Sequence, residues 1–231
     1  MRIAAVLSGD AALLRACEGG DVYLGMAKQL GLAPSDATPE THPQVRALFK
    51  TVCLGINYGL GARSLSLRTG LPLYQSYEIL ARLRAQYRIY EAFIRSTLDH
   101  AGLELELRTQ LGWTMRCPPG INARTCRNFP MQSSGSEILH VLMLLAERRS
   151  IPIIATVHDA VMVECDLDQV DDVSAALDRA MRDAASIILR GPELPTDVQT
   201  VRPGGRFFDK NGAEMWSTVS KVLAKLERQM A

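Results

Sequence analysis

Apolar residues recur at threes and fours over most of the chain and alternate in only a few short runs. The longest helical pattern lies in 42–66, HPQVRALFKTVCLGINYGLGARSLS. Val45, Leu48, Phe49, Val52 and Ile56 form its apolar face. Gly59 and Gly61 suit its end, since glycine tolerates the left-handed backbone found there. Upstream, the pattern predicts short helices over Asp10–Cys17 and Val22–Leu30, separated by Gly19-Gly20, with Asp10 as the N-cap of the first. Residues 31–43, with three prolines, read as a loop.

Downstream, Leu80, Leu83, Tyr87, Tyr90, Phe93, Ile94 and Leu98 predict one helical segment over Leu73–Ala101, ended by Gly102. Arg82, Arg84, Arg88 and Arg95 decorate it, mostly as solvated charges, with some of them candidates to face nucleic-acid phosphates. Alternation in Leu103–Arg108 and Trp113–Cys117, around Leu111-Gly112, predicts a hairpin, and Pro118-Pro119-Gly120 then breaks the chain. Glu137–Ala146 reads as an apolar helix. Two β-rich runs, Ile153–Val157 and Val161–Cys165, flank His158-Asp159-Ala160. They predict a second hairpin of buried strands with a carboxylate at its tip. Asp166–Leu189 is an amphipathic helix with an acidic start, which suits the positive helix end. Leu194–Val201 reads as a last strand, with turns at Gly204-Gly205 and Asn211-Gly212. A terminal helix runs from Met215-Trp216 to Met230. The class is α/β, with antiparallel strands and packed helices.

The 231 residues have room for one large domain or two small ones, and 47% apolar with 22% charged residues describes a globular chain rather than a disordered one. A net charge of +1 provides no global field to draw nucleic acid. The distribution is less even, because residues 42–150 hold 14 Lys and Arg against 7 Asp and Glu. A basic middle between acidic ends fits a nucleic-acid face on one region, as it also fits solvated helix faces. The five cysteines have no CxxC spacing, which points to reduced thiols in a cytoplasmic protein rather than to disulfides or zinc. No signal peptide, membrane-spanning run or internal repeat is visible.

Candidate chemistry begins in the long helix. Arg46, Lys50, Leu54 and Tyr58 fall four residues apart and share one helical stripe. Two cations suit a polyphosphate, and a Tyr offers a flat face for a base. A core helix with a solvated cationic edge accounts for the same residues. The order Arg-xxx-Lys-xxx-Leu-xxx-Tyr-Gly resembles the nucleotide-binding helix of the fingers in family A DNA polymerases, the bacterial DNA polymerase I type. The resemblance implies that Arg46 and Lys50 hold the triphosphate of an incoming nucleotide, with Lys50 also a catalytic candidate. It implies that Leu54, where the family usually carries Phe or Tyr, lies beside the sugar, and that Tyr58 lies near the template base. Asp21-Val22-Tyr23 resembles an Asp-x-(His or Tyr) element of the family, which would put Tyr23 near the phosphates. A partly buried Tyr at a helix start fits equally well.

Two further stretches follow in the family's order. Asn128-Phe-Pro-Met-Gln132, with Arg124 four residues earlier, resembles the family's Asn-x-Pro-x-Gln segment. The resemblance implies that Arg124, Asn128 and Gln132 contact primer–template DNA. Carboxamides suit this role, because they present donors and acceptors to a minor groove that offers similar acceptors at every base pair. A polar loop capping the apolar helix is the alternative. Val157-His158-Asp159 resembles the family's Val-His-Asp-Glu motif, with Ala160 in the Glu position. It implies that Asp159 is a catalytic metal ligand and that His158 lies by the primer terminus.

The resemblance covers almost the whole chain. It implies a single polymerase unit over 1–231, with a helical fingers portion over roughly 21–101 and a palm formed by 1–20 and 102–231. Met1-Arg-Ile-Ala resembles the end of the family's first catalytic motif, Leu-Arg-Ile-Ala, so the strand bearing the first metal-binding Asp is expected upstream of Met1. The implied activity is DNA-directed DNA synthesis, using deoxynucleoside triphosphates, primer–template DNA and two Mg²⁺ ions, in replication or repair. One metal carboxylate would be missing, because Asp10 reads as a helix cap. Three readings remain: a portion of a longer polymerase that is inactive alone, half of a split polymerase completed by an N-terminal segment in trans, or a non-catalytic primer–template binding module.

Overall fold

The computed structural model describes residues 1–191, 193–205, 207 and 212–230. Its first helix, α1 (Arg2–Ser8), is only seven residues long, yet it joins the two main cores. Ala4 and Ala5 are buried in the first core, and Ile3 packs against both. The small alanines let neighbouring helices approach closely. Helix α2 (Ala11–Glu18) follows, capped by Asp10, which accepts hydrogen bonds from the Ala12 and Leu13 amides at 3.0 and 3.1 Å. Helix α3 (Val22–Gln29) is capped by Asp21 through the Leu24 amide at 3.0 Å. A side chain at Gly25 would lie 2.2 Å from the Ala16 carbonyl oxygen, so only glycine lets α3 sit this close to α2.

Helix α4 (Pro43–Asn57) starts with proline in its first turn, where a missing amide costs nothing. It ends as the glycines predict. The Gly59 amide bonds to Ile56 at 2.9 Å and the Leu60 amide to Gly55 at 2.8 Å, with Gly59 at φ 69°. Phe49, Val52, Cys53 and Ile56 turn into the first core, which they share with α1–α3 and with residues 62–94.

Helix α5 (Ala62–Thr69) leads into α6 (Leu73–Gln86) and α7 (Arg88–Glu104). The single helix expected over Leu73–Ala101 is therefore two, divided at Tyr87 (φ −110°, ψ 55°). The cause lies far away in sequence: Asp10 Oδ2 accepts from the Tyr90 amide at 3.0 Å. Asp10, 3% exposed, thus caps α7 as well as α2. Tyr87 and Tyr90 are both buried at the break. Periodicity alone could not reveal this break, because the apolar spacing continues through it.

The first hairpin, β1 (Glu106–Arg108) with β2 (Thr114–Arg116), pairs antiparallel with Leu107 opposite Met115. It begins later than expected, because α7 extends to Glu104. Helix α8 (Ala123–Arg148) is a second departure. The polar stretch 122–136 is not a loop before a short helix but the first half of one 26-residue helix, capped by Asn122 and carrying Pro130 inside. Its residues serve three cores in turn: Cys126 the small one under the first hairpin, Met131 the first, and Ile138, Leu142 and Ala146 the second.

The second hairpin, β3 (Ile153–Val157) with β4 (Ala160–Val163), has an irregular register between Ile153 and Ala155. Its strands are not buried on both faces. Ile154, Val157 and Met162 are exposed, because among the described residues β3 and β4 pair only with each other. Ile153, Val161 and Val163 pack on the second core, formed with α8 and α9 (Val170–Leu189). The antiparallel pairing stands as expected, in two separate two-stranded sheets. Residues 194–201 form no strand and pair with neither hairpin. Helix α10 (Ala213–Met230) ends the chain. Gly204 makes a turn at φ 79°, whereas the Asn211-Gly212 turn lies partly outside the described residues. No helix among the described residues is long and apolar enough to cross a membrane.

Asp10→Ala should leave three amides without their acceptor, those of Leu13 and Tyr90 buried, and uncap two helices, lowering stability by about 3 kcal/mol in urea denaturation. Asp10→Asn, which keeps one acceptor oxygen, should lose clearly less.

Candidate nucleotide and nucleic-acid interface

The stripe on α4 stands open to solvent. Lys50, Leu54 and Tyr58 are exposed, the last two at 46% and 49%, while the opposite face of the helix is buried. Lys50 makes no ion pair or hydrogen bond among the described residues. Arg46, one turn earlier, is engaged. Its Nε donates to Asp21 Oδ2, and its guanidinium carbon lies 5.6 Å from the centre of the Tyr23 ring. The sequence-predicted residues Arg46 and Tyr23 are therefore neighbours, brought together where the start of α3 meets the first turns of α4.

Asp21 is the residue that sequence reasoning passed over in this group. In the sequence it is only the first residue of the Asp21-Val22-Tyr23 element, and its second bond, across 25 residues to Arg46, leaves no local signature. Partial burial opposes its ionisation, yet the Leu24 amide and the Arg46 guanidinium together hold its carboxyl below the usual carboxylate range. Burial, reinforced by the nearby Cys53 thiol, raises the Tyr23 phenol above its ordinary value, so Tyr23 is neutral at physiological pH. The Cys53 thiol beneath it is pushed up to about 12 by burial and stays protonated.

The first half of α8 carries the second group. Arg124 and Gln132 are exposed, whereas Asn128, between them on the same stripe, is only 6% exposed. Arg127, unremarked in the sequence, fastens this helix to the stripe. Its Nε donates to the Ile56 carbonyl at 2.9 Å, at the end of α4, and it pairs with Glu91 on α7 at 3.5 Å. Beside it the Tyr90 hydroxyl donates to Asn57 at 2.8 Å. The end of α4, the start of α7 and the start of α8 thus form one hydrogen-bonded joint.

His158 and Asp159 form the tip of the β3–β4 hairpin, as predicted, and both are exposed. His158 has φ 54°, an uncommon conformation for a non-glycine residue that the two-residue turn imposes. Among the described residues no three His, Cys, Asp or Glu side chains converge into a metal site. Asp10 is committed to three backbone amides. The residues present therefore do not fit a two-metal centre. None of the five cysteines is in a disulfide; Cys117 and Cys126 lie in contact, Sγ to Sγ 3.9 Å, in the small core.

The family model for DNA polymerase family A matches residues 1–202. The chain belongs to that family. Among curated relatives, DNA polymerase I of Aquifex aeolicus is 27% identical over 215 residues, 87% of this chain and 36% of that protein. DNA polymerase theta of Caenorhabditis elegans is 29% identical over 158 residues, 64% of this chain and 10% of that protein. Thermostable DNA polymerase I of Thermus thermophilus is 26% identical, over 80% of this chain and 23% of that protein. This family A chain thus spans between about a tenth and about a third of the length of these relatives. A solved structure of the POL domain of Pol1 from M. smegmatis, in complex with DNA primer-template and dNTP, matches the fold with a TM-score of 0.70 at 24% identity. That match covers 79% of this family A chain and 35% of the other.

The Asp21–Arg46 pair has a defined pH signature. Because the folded carboxyl lies below its unfolded value, its stabilisation is present above the ordinary carboxylate range and is lost as pH falls through the lowered folded value. The partly exposed guanidinium limits the effect to under about 1 kcal/mol. Asp21→Asn keeps a capping side chain but removes the charge. It should flatten the acid limb of stability followed by urea midpoint against pH.

Proposed function

We propose that this chain is the nucleotide- and primer–template-binding unit of a DNA-directed DNA polymerase. In this reading a fingers portion spans roughly 21–101, and a palm is built from 1–20 and 102–231. The observation that carries the reading is the solvent-facing stripe Arg46–Lys50–Leu54–Tyr58, with Tyr23 against its first cation. Lys50 is free to meet a phosphate, and Arg46 reaches one by exchanging Asp21 for it. Tyr58 presents its ring to a base, and Leu54 borders the sugar. Arg124 and Gln132, with Asn128 between them, meet the minor groove of the primer–template, and His158 meets the primer terminus. The family membership, and a fold shared with a polymerase domain solved with DNA primer-template and dNTP, support this assignment.

Arg46→Ala and Lys50→Ala should each weaken deoxynucleoside triphosphate binding by roughly tenfold or more, the loss of a charge-assisted contact, while leaving the fold intact. Asp21→Asn should tighten it, because Arg46 no longer has to leave a carboxylate. Fluorescence titration with a nucleotide checks all three. Unchanged affinity in both cation variants removes the assignment.

Catalysis is the second part of the proposal. Nucleotidyl transfer of this class uses two Mg²⁺ ions, and among the described residues Asp159 is the carboxylate we assign to them. Extension is therefore assigned to a larger assembly in which a further carboxylate comes from outside these 231 residues, on the same chain or in trans. The enzyme then serves replication or repair in the cytoplasm. The purified chain, given primer–template, all four nucleotides and Mg²⁺, should bind but not extend. Extension by this chain that Asp159→Ala abolishes would show a second carboxylate within it. Binding without extension under every complementation would favour a non-catalytic module, the reading to which the solitary carboxylate at the hairpin tip lends weight.

A further inference from the structure

Helices α6 and α7 carry four arginines on their exposed faces, and they are not equivalent. Arg82 is committed: it pairs with Glu78 at 2.7 Å and reaches the Leu30 carbonyl at 3.4 Å. Arg84, Arg88 and Arg95 are exposed and have no carboxylate or hydrogen-bond partner among the described residues. All three line one open groove of about 640 Å³, whose other lining residues lie along α7. His100 lines its far part. Of the two acids in the groove, Glu91 is held by Arg127, and Asp99 alone is left to offset three guanidiniums. A protein surface ordinarily intersperses both signs, and three unpaired cations around one groove leave a field that suits a polyanion.

The neighbouring surface narrows the choice of polyanion. Tyr77 lies seven residues before Arg84 on the same side of α6, and Tyr74 lies one turn further back. Both rings are largely in solvent, 59% and 67% exposed. Exposed aromatics beside unpaired arginines are the combination that holds unpaired bases and their phosphates together. A duplex offers its phosphates to such a surface but keeps its base faces stacked inside. An acidic peptide would meet the arginines but leave the rings unused.

We propose that the groove of α7, extended by Tyr77 and Tyr74, is a binding path for a single-stranded polynucleotide, separate from the α4 stripe. Arg84, Arg88 and Arg95 take successive phosphates, and Tyr77 stacks a base. The path goes beyond the nucleotide assignment, and the strand would be held whether or not Arg46 and Lys50 bind triphosphate.

The test is anisotropy of labelled oligothymidylate, oligouridylate and a blunt duplex across a salt series, with the full chain. The wild type should bind the single strands and show a strong salt dependence. The triple variant Arg84→Gln, Arg88→Gln, Arg95→Gln should lose affinity and flatten the slope of log K against log salt by about 2, roughly 0.7 for each phosphate lost. The matching triple Lys variant, which keeps the charges, should retain the slope. Tyr77→Ala should weaken binding by about tenfold without changing the slope. Nucleotide titration of the same variants should be unaffected, so a failure here is distinct from a failure of the α4 assignment. A wild type that binds neither oligonucleotide, a blunt duplex bound as tightly and with the same losses, or a triple glutamine variant with unchanged affinity and slope overturns the proposal.

Discussion

The carboxylate of Asp10 is the constraint on which the arrangement depends. A buried aspartate is costly unless its oxygens are satisfied, and here three amides satisfy them. Two belong to the helix it opens and one to a helix eighty residues later. Neither helix start can shift without leaving a buried charge short of a donor. The fixed start of α7 presents Tyr90 to Asn57 and Glu91 to Arg127, and Arg127 in turn grips the last turn of α4. The stripe on α4 and the first half of α8 are tied together through this chain of polar contacts. The apolar cores supply the burial energy, whereas these few directional bonds set which way α4 faces.

Those directional bonds also mark how far the sequence could be read. Periodicity located α4, the hairpin bearing Asp159 and the long amphipathic α9, because each is decided by its own apolar spacing. The cap at Asp10 was legible from its position after Ser8-Gly9. The second cap was not, since a bond across eighty residues leaves no local trace. The same blindness joined α6 to α7 across Tyr87. The start of α8 failed for another reason. Polar residues and a proline read as a loop, but a proline within a helix is tolerated when neighbouring packing holds the turn, and Cys126, Asn128 and Met131 are buried there. The strand expected at 194–201 has the right composition but joins neither two-stranded sheet, and pairing is decided by tertiary contacts that composition does not record.

Within the candidate interface, the stripe residues and Tyr23 were all legible, because helical spacing and one aromatic suffice. Their electrostatic setting was not. Arg46 is held by Asp21 in the free protein, so its charge is already oriented and half-neutralised before any ligand arrives. Such an arrangement exchanges one anion for another instead of desolvating a bare guanidinium. It lowers the apparent affinity and raises the discrimination in favour of ligands with more charge than a single carboxylate.

Pro130 gives α8 a mechanical property. It cannot donate to the Cys126 carbonyl, and its own carbonyl is shared with the Ser134 hydroxyl at 2.8 Å, so the ladder is weakest there on both sides. Up to and including Met131 the helix belongs to the cores beneath α4 and the first hairpin; from Ile138 on it belongs to the core beneath β3, β4 and α9. Helix α8 and the short α1, whose Ile3 touches both main cores, are therefore the two routes by which the α4 stripe and the Asp159 tip are held at their separation.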